Sequence, residues 1–218
     1  MPGRFQYTVL TFLSALAVAV PAAAQAPTRP AAPQAPAGVA RFAEPTDPIQ
    51  LSGAARPGHY VGDMGRRAAV FGDETGGLEV WTWPLELVED LHLAFGIPDY
   101  DDPLSGASVA RRVVVRPEGV TIVYSHATFT VRERVTVPLH EPGVLILLDV
   151  ETVRPLDVYV RMRSDFNLAW PGAFGGQYIT WWPERKAFLL SQGGVHHYNA
   201  LIGSPFAVSG TSQPAHDA

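Results

Sequence analysis

Leu156-Asp157-Val158-Tyr159-Val160-Arg161-Met162-Arg163 carries an apolar side chain at every second position, with acidic, phenolic or basic ones between. Side chains along a strand point to alternate faces, so this octapeptide reads as a strand with one face on a core and the other in water. Toward the N-terminus the same reading recurs. Residues 144–150 are apolar on both faces through Leu148, which predicts a strand placed centrally between layers. Residues 129–137 alternate, and Ser125-His126-Ala127 supplies the turn before them. Residues 109–116 lead through Pro117-Glu118-Gly119 into 120–124, a short connection with glycine where a hairpin needs it. Residues 67–71 and 78–83 flank Gly72-Asp73-Glu74-Thr75-Gly76-Gly77, a strand-turn-strand signature.

Residues 85–95 are ambiguous, because Leu and Glu favour helix. Leu85, Leu87, Leu91, Leu93 and Phe95 nevertheless keep a period of two, which predicts a strand. After Arg163 the regularity loosens, and 177–182, 186–190 and 197–202 offer three more short strands. No repeat and no long helical pattern interrupts the series. The fold class that follows is all-β: a large antiparallel β-sandwich, a two-sheet, supersandwich-like architecture.

The rest of the chain frames that sandwich. Arg4 precedes an apolar run over 9–20, and Pro21-Ala22-Ala23-Ala24 supplies small residues for cleavage, so residues 1–24 read as a secretory signal peptide. The run is too short for the roughly 20 residues a membrane span requires. An exported protein, periplasmic or extracellular, is expected, with no membrane association after cleavage. Residues 25–56 form a Pro/Ala-rich linker and irregular lead-in, 57–203 the sandwich, and 204–218 a flexible tail. Of 218 residues, 47% are hydrophobic, enough for one sizeable core. Net charge is −5 with scattered Lys and Arg, which argues against nucleic acid and anionic lipid as partners. The absence of cysteine excludes disulfides, thiolate nucleophiles and zinc-thiolate sites.

Several residues invite chemical readings. Exposed indole faces stack on the CH-rich faces of sugars, so Trp81, Trp83, Trp170, Trp181 and Trp182 are candidates for a carbohydrate or interdomain surface, though core packing competes for each. Trp81 and Trp83 fall on one strand face and can act together. Glycoside hydrolysis needs paired carboxyl groups, and Asp73, Glu74, Glu86, Glu89, Asp90 and Asp165 are available. Glu133 is unusual because it lies in register with Phe129, Val131, Val135 and Val137 on the apolar side. A carboxyl group there requires a partner, and Arg111 or Arg161 is expected to supply it. Asp99-Tyr100-Asp101-Asp102 lacks the full calcium-loop pattern. His196-His197 point to opposite faces of a strand, and Ser125-His126 has no nucleophile frame, so neither a metal, a cofactor nor a catalytic residue is expected.

Arg67-Ala68-Ala69-Val70-Phe71-Gly72, Leu78-Glu79-Val80-Trp81-Thr82-Trp83-Pro84-Leu85 and Val131-Arg132-Glu133-Arg134-Val135-Thr136-Val137-Pro138 follow one another in an order that carries a resemblance. It continues through Arg163-Ser164-Asp165-Phe166-Asn167-Leu168-Ala169-Trp170-Pro171 and Gly175-Gly176-Gln177-Tyr178-Ile179. Over roughly residues 57–217 the chain resembles the N-terminal β-sandwich domain of secreted bacterial glycogen-debranching, or amylo-alpha-1,6-glucosidase-like, glycoside hydrolases. The resemblance implies a non-catalytic module whose partner is a C-terminal (α/α)6 catalytic domain missing from this chain, with α-glucan oligosaccharide as a possible ligand. It implies that the tail is the start of a linker, and that Asp165 and Trp170 are the residues best placed to reach a substrate cleft. The alternatives are a free-standing carbohydrate-binding sandwich and a structural envelope protein.

Overall fold

In Phe129–Thr136 the period of two becomes a period of burial: Phe129, Val131, Glu133 and Val135 are buried, and the residues between them are half-buried. The computed structural model describes residues 8–10, 49–98, 100–168, 177–192 and 198–212. Within them the strands are β1 (Thr8–Leu10), β2 (Leu51–Ala54), β3 (Tyr60–Met64), β4 (Ala68–Asp73), β5 (Gly76–Thr82), β6 (Leu85–Gly96), β7 (Leu104–Ser105) and β8 (Ala110–Arg116). They continue as β9 (Gly119–His126), β10 (Phe129–Thr136), β11 (Leu145–Thr152), β12 (Asp157–Leu168), β13 (Gln177–Trp182), β14 (Ala187–Gln192) and β15 (Asn199–Gly203). Single helical turns occupy Gly106–Val109 and Pro183–Arg185.

These strands form an all-β antiparallel sandwich. The first sheet runs β1-β11-β10-β9-β8-β2, and the second runs β12-β6-β5-β4-β3 with β7 on β6. One apolar cluster draws on both inner faces. Phe95 of the second sheet meets Tyr124 and Phe129 of the first at ring separations of 5.4 and 4.8 Å, so aromatic packing ties the layers together. Asp63 adds a polar tie by accepting a 2.6 Å hydrogen bond from the Val137 amide. A third sheet, β13-β14-β15, lies beside β12, and its Leu190 and Ile202 join the same core.

Three expectations change. Residues 144–150 do not sit centrally: β11 is one strand in from the sheet edge, where β1 pairs with Ile146 to Leu148. Ile146 and Leu148 are buried, whereas Leu145 and Leu147 lie half-buried on the outer face, opposite Thr136 and Arg134. Long neighbouring side chains cover leucines there without a second layer. The stretch read as an irregular lead-in contains β2, paired with β8. Asp165 falls inside β12 rather than in a loop, because that strand continues five residues past the regular alternation through register shifts against β6. The rest of the expected leader and the Pro/Ala-rich tether, along with residues 213–218, lie outside the described residues.

Candidate functional site

The outer face of the second sheet brings together Trp81, Trp83, Glu86 and Asp165 of the sequence's candidate residues. Met64, Ala69, Trp81, Glu86 and Asn167 are successive cross-strand partners, a single row running across β3, β4, β5, β6 and β12. In the next row Phe71 stands opposite Glu79. The β5–β6 hairpin closes with only Trp83 and Pro84 between the paired residues Thr82 and Leu85, so Trp83 is carried at its tip. It is 71% exposed, and its ring lies 6.4 Å from that of half-buried Trp81. Tyr60, Met64 and Phe71 are also exposed, and with the two indoles they give this face an apolar character rare on a solvated sheet.

Carboxyl groups border the indoles. The Trp81 indole donates to Glu79 at 3.4 Å. Glu86 and Asp165 hydrogen-bond to each other directly, which brings together two residues that sequence spacing could not pair. Partial burial, that hydrogen bond and the charges of Asp165, Glu79 and Glu89 push the Glu86 carboxyl up to about 7. The Glu86 carboxyl therefore keeps its proton below neutrality. Glu89 behaves oppositely, because its hydrogen bond with Arg163 holds it below the usual carboxylate range.

Hydrogen-bonded carboxyl groups are closer than the roughly 5 Å separation of retaining glycosidases, and they leave no room for a sugar between them. Their geometry suits an acceptor surface for hydroxyl groups instead. Asp73 and Glu74 serve the β4–β5 turn: Asp73 accepts from the Thr75 amide at 2.7 Å and Glu74 from the Arg56 amide at 2.9 Å. Asp90 is engaged with the His92 ring at 3.2 Å.

The other tryptophans are placed elsewhere. Trp181 and Trp182 belong to β13 of the third sheet. Trp181 packs against Phe188 at 4.9 Å, and a Cβ at Gly210 would collide with its ring, so the chain after β15 covers one indole face. Trp182 remains 40% exposed, with the Arg185 guanidinium 5.4 Å from its ring centre. Trp170 lies outside the described residues, as do Asp99, His196 and His197. Among the described residues no group of three or more His, Asp or Glu side chains is arranged to hold a metal ion.

The expected partner of Glu133 is corrected. Glu133 is buried, but neither Arg111 nor Arg161 reaches it: Arg111 bonds to the carbonyls of Ser108 and Ala110, and Arg161 stands exposed opposite His92. The Tyr124 hydroxyl donates to its Oε2 at 2.6 Å instead. Register explains the choice, since Tyr124 and Glu133 are diagonal neighbours on the inner face of β9 and β10. Comparison with protein-family models, curated proteins and solved structures finds no match for this chain.

Proposed function

We propose that this chain is a non-catalytic β-sandwich module of an exported glycogen-debranching-type glycoside hydrolase, and that the outer face of its second sheet contacts α-glucan beside a helical catalytic domain. The observation that carries the proposal is the Trp81–Trp83 pair beside Glu79 and the Glu86–Asp165 pair. Paired indole faces offer a stacking platform, and adjacent carboxyl oxygens accept hydrogen bonds from sugar hydroxyls. The order of motifs described above supports the family reading, and the all-β sandwich agrees with it. The contact of the two carboxyl groups supports binding over hydrolysis.

Incubation of the purified chain with maltooligosaccharides, followed by product chromatography, is expected to leave the sugars intact, while calorimetric titration gives saturable heat. Glucose release by the purified chain, above all release that Glu86→Gln or Asp165→Asn abolishes, or a titration without heat, would overturn the proposal. A free-standing sugar-binding sandwich would use the same face. Addition of a separately produced (α/α)6 domain of this hydrolase type distinguishes the two, since only the module reading predicts a stable complex.

A further inference from the structure

Glu133 is 1% exposed, and among the described residues its Oε1 has no hydrogen-bond partner. Its Oε2 has one, from Tyr124. The flanking cross-strand residues are Ile122 on β9 and Leu148 on β11, both apolar. Opposite, the phenol approaches the turn that enters β5: a Cβ at Gly76 would lie 3.2 Å from the Tyr124 oxygen and 3.9 Å from the His92 Cβ. His92 directs its ring to Asp90 rather than into the core. Tyr124 is thus the ionisable group acting on Glu133 from β9; His92 and Asp90, bonded to each other, lie on β6, and Asp73 and Glu74, engaged with Thr75 and Arg56, lie at the turn itself. Among the described residues no cation compensates a charge on this carboxyl group.

A carboxylate with a single donor in an apolar interior is costly, and a neutral acid is not. We infer that the Tyr124–Glu133 pair is a proton-linked latch between the two sheets: with Glu133 neutral the β4–β5 turn closes over Tyr124, and loss of the proton to solvent loosens that turn. Burial pushes Glu133 up to about 7, partly offset by the Tyr124 hydrogen bond, while burial raises Tyr124 well above its ordinary value and keeps it a donor. Besides Phe95, which packs on the Tyr124 ring, the turn comes within reach of the phenol oxygen, and its glycines at 76 and 77 adopt φ of +105° and +78°. Water drawn to an ionised Glu133 would enter there.

The sign follows from proton linkage. A folded-state pKa raised from 4.5 to about 7 means the folded chain holds more protons between those values, so stability falls as pH rises through that window and levels off above it. The full effect on the unfolding constant is on the order of a hundredfold or more. Denaturant unfolding and amide exchange of the full chain at about pH 5 and about pH 8 test it. The wild type is expected to lose stability at the higher pH, with exchange in the 74–78 segment rising by more than the intrinsic rate rises over the same pH interval. Glu133→Gln is expected to reduce that fall to the share Glu86 carries and to remove that rise, whereas Glu86→Gln, which deletes the other raised carboxyl group, leaves the exchange response intact. Parallel pH profiles for wild type and Glu133→Gln would overturn the latch. Should Glu133→Gln fail to fold, Tyr124→Phe decides: removing the donor must carry the stability loss to higher pH, and an unmoved profile contradicts the inference.

Discussion

Gly76 shows how narrowly individual residues constrain this molecule. Its φ of +105° is open to glycine but strained for any L side chain, and an added methyl group would press on the Tyr124 hydroxyl. Gly76→Ala is therefore expected to destabilise the chain by about 1–3 kcal/mol in chemical denaturation. Glu133 is equally constrained, and its ionisation carries about 3 kcal/mol across the window from 4.5 to about 7. The sequence made the burial of Glu133 legible through its register with Phe129, Val131 and Val135. It left the partner illegible, because arginine is the residue that ordinarily compensates a carboxylate. A neutral acid needs no cation, and tyrosine suffices. Trp181 was illegible for a different reason, since the backbone of Gly210 covering it is distant in sequence and carries no side-chain signal.

At the scale of strands, inner and outer faces differ sharply in energetic weight. On β10 the outward Arg132 bonds to Asp149 at 3.1 Å and Glu151 at 3.2 Å, but all three side chains are about one-third exposed. Solvent screening leaves such pairs little net worth, so Arg132→Ala should cost less than about 1 kcal/mol. One residue earlier, inward Val131 is completely buried, and Val131→Ala should cost about 2–3 kcal/mol through lost burial and the cavity it leaves. Equal costs for the two substitutions in urea titrations would contradict this division of faces. Alternation made most strands legible, including the ambiguous 85–95, whose leucines are buried even though the β5–β6 and β6–β12 ladders contain register shifts. β2 escaped because Leu51-Ser52-Gly53-Ala54 is short, small and fully exposed, and its pairing with β8 is a long-range event. The contact of Glu86 with Asp165 escaped likewise, since it depends on β12 returning to pair with β6.

Across the whole molecule, two sheets with a common core leave one outer face solvated and ion-paired and the other apolar and aromatic. The proposed function takes the second sheet's outer face as its working surface because of its exposed aromatic residues. Its tryptophan hairpin was legible as a pair, whereas its continuation through Phe71, Met64 and Tyr60 needed the order of β5, β4 and β3. Intrinsic tryptophan fluorescence during maltooligosaccharide titration tests the claim most directly, performed on wild type, Trp83→Ala and Trp182→Ala. The account predicts saturable quenching that Trp83→Ala abolishes and Trp182→Ala, on the third sheet, retains. Quenching that survives in Trp83→Ala, or an unresponsive wild type, would contradict it.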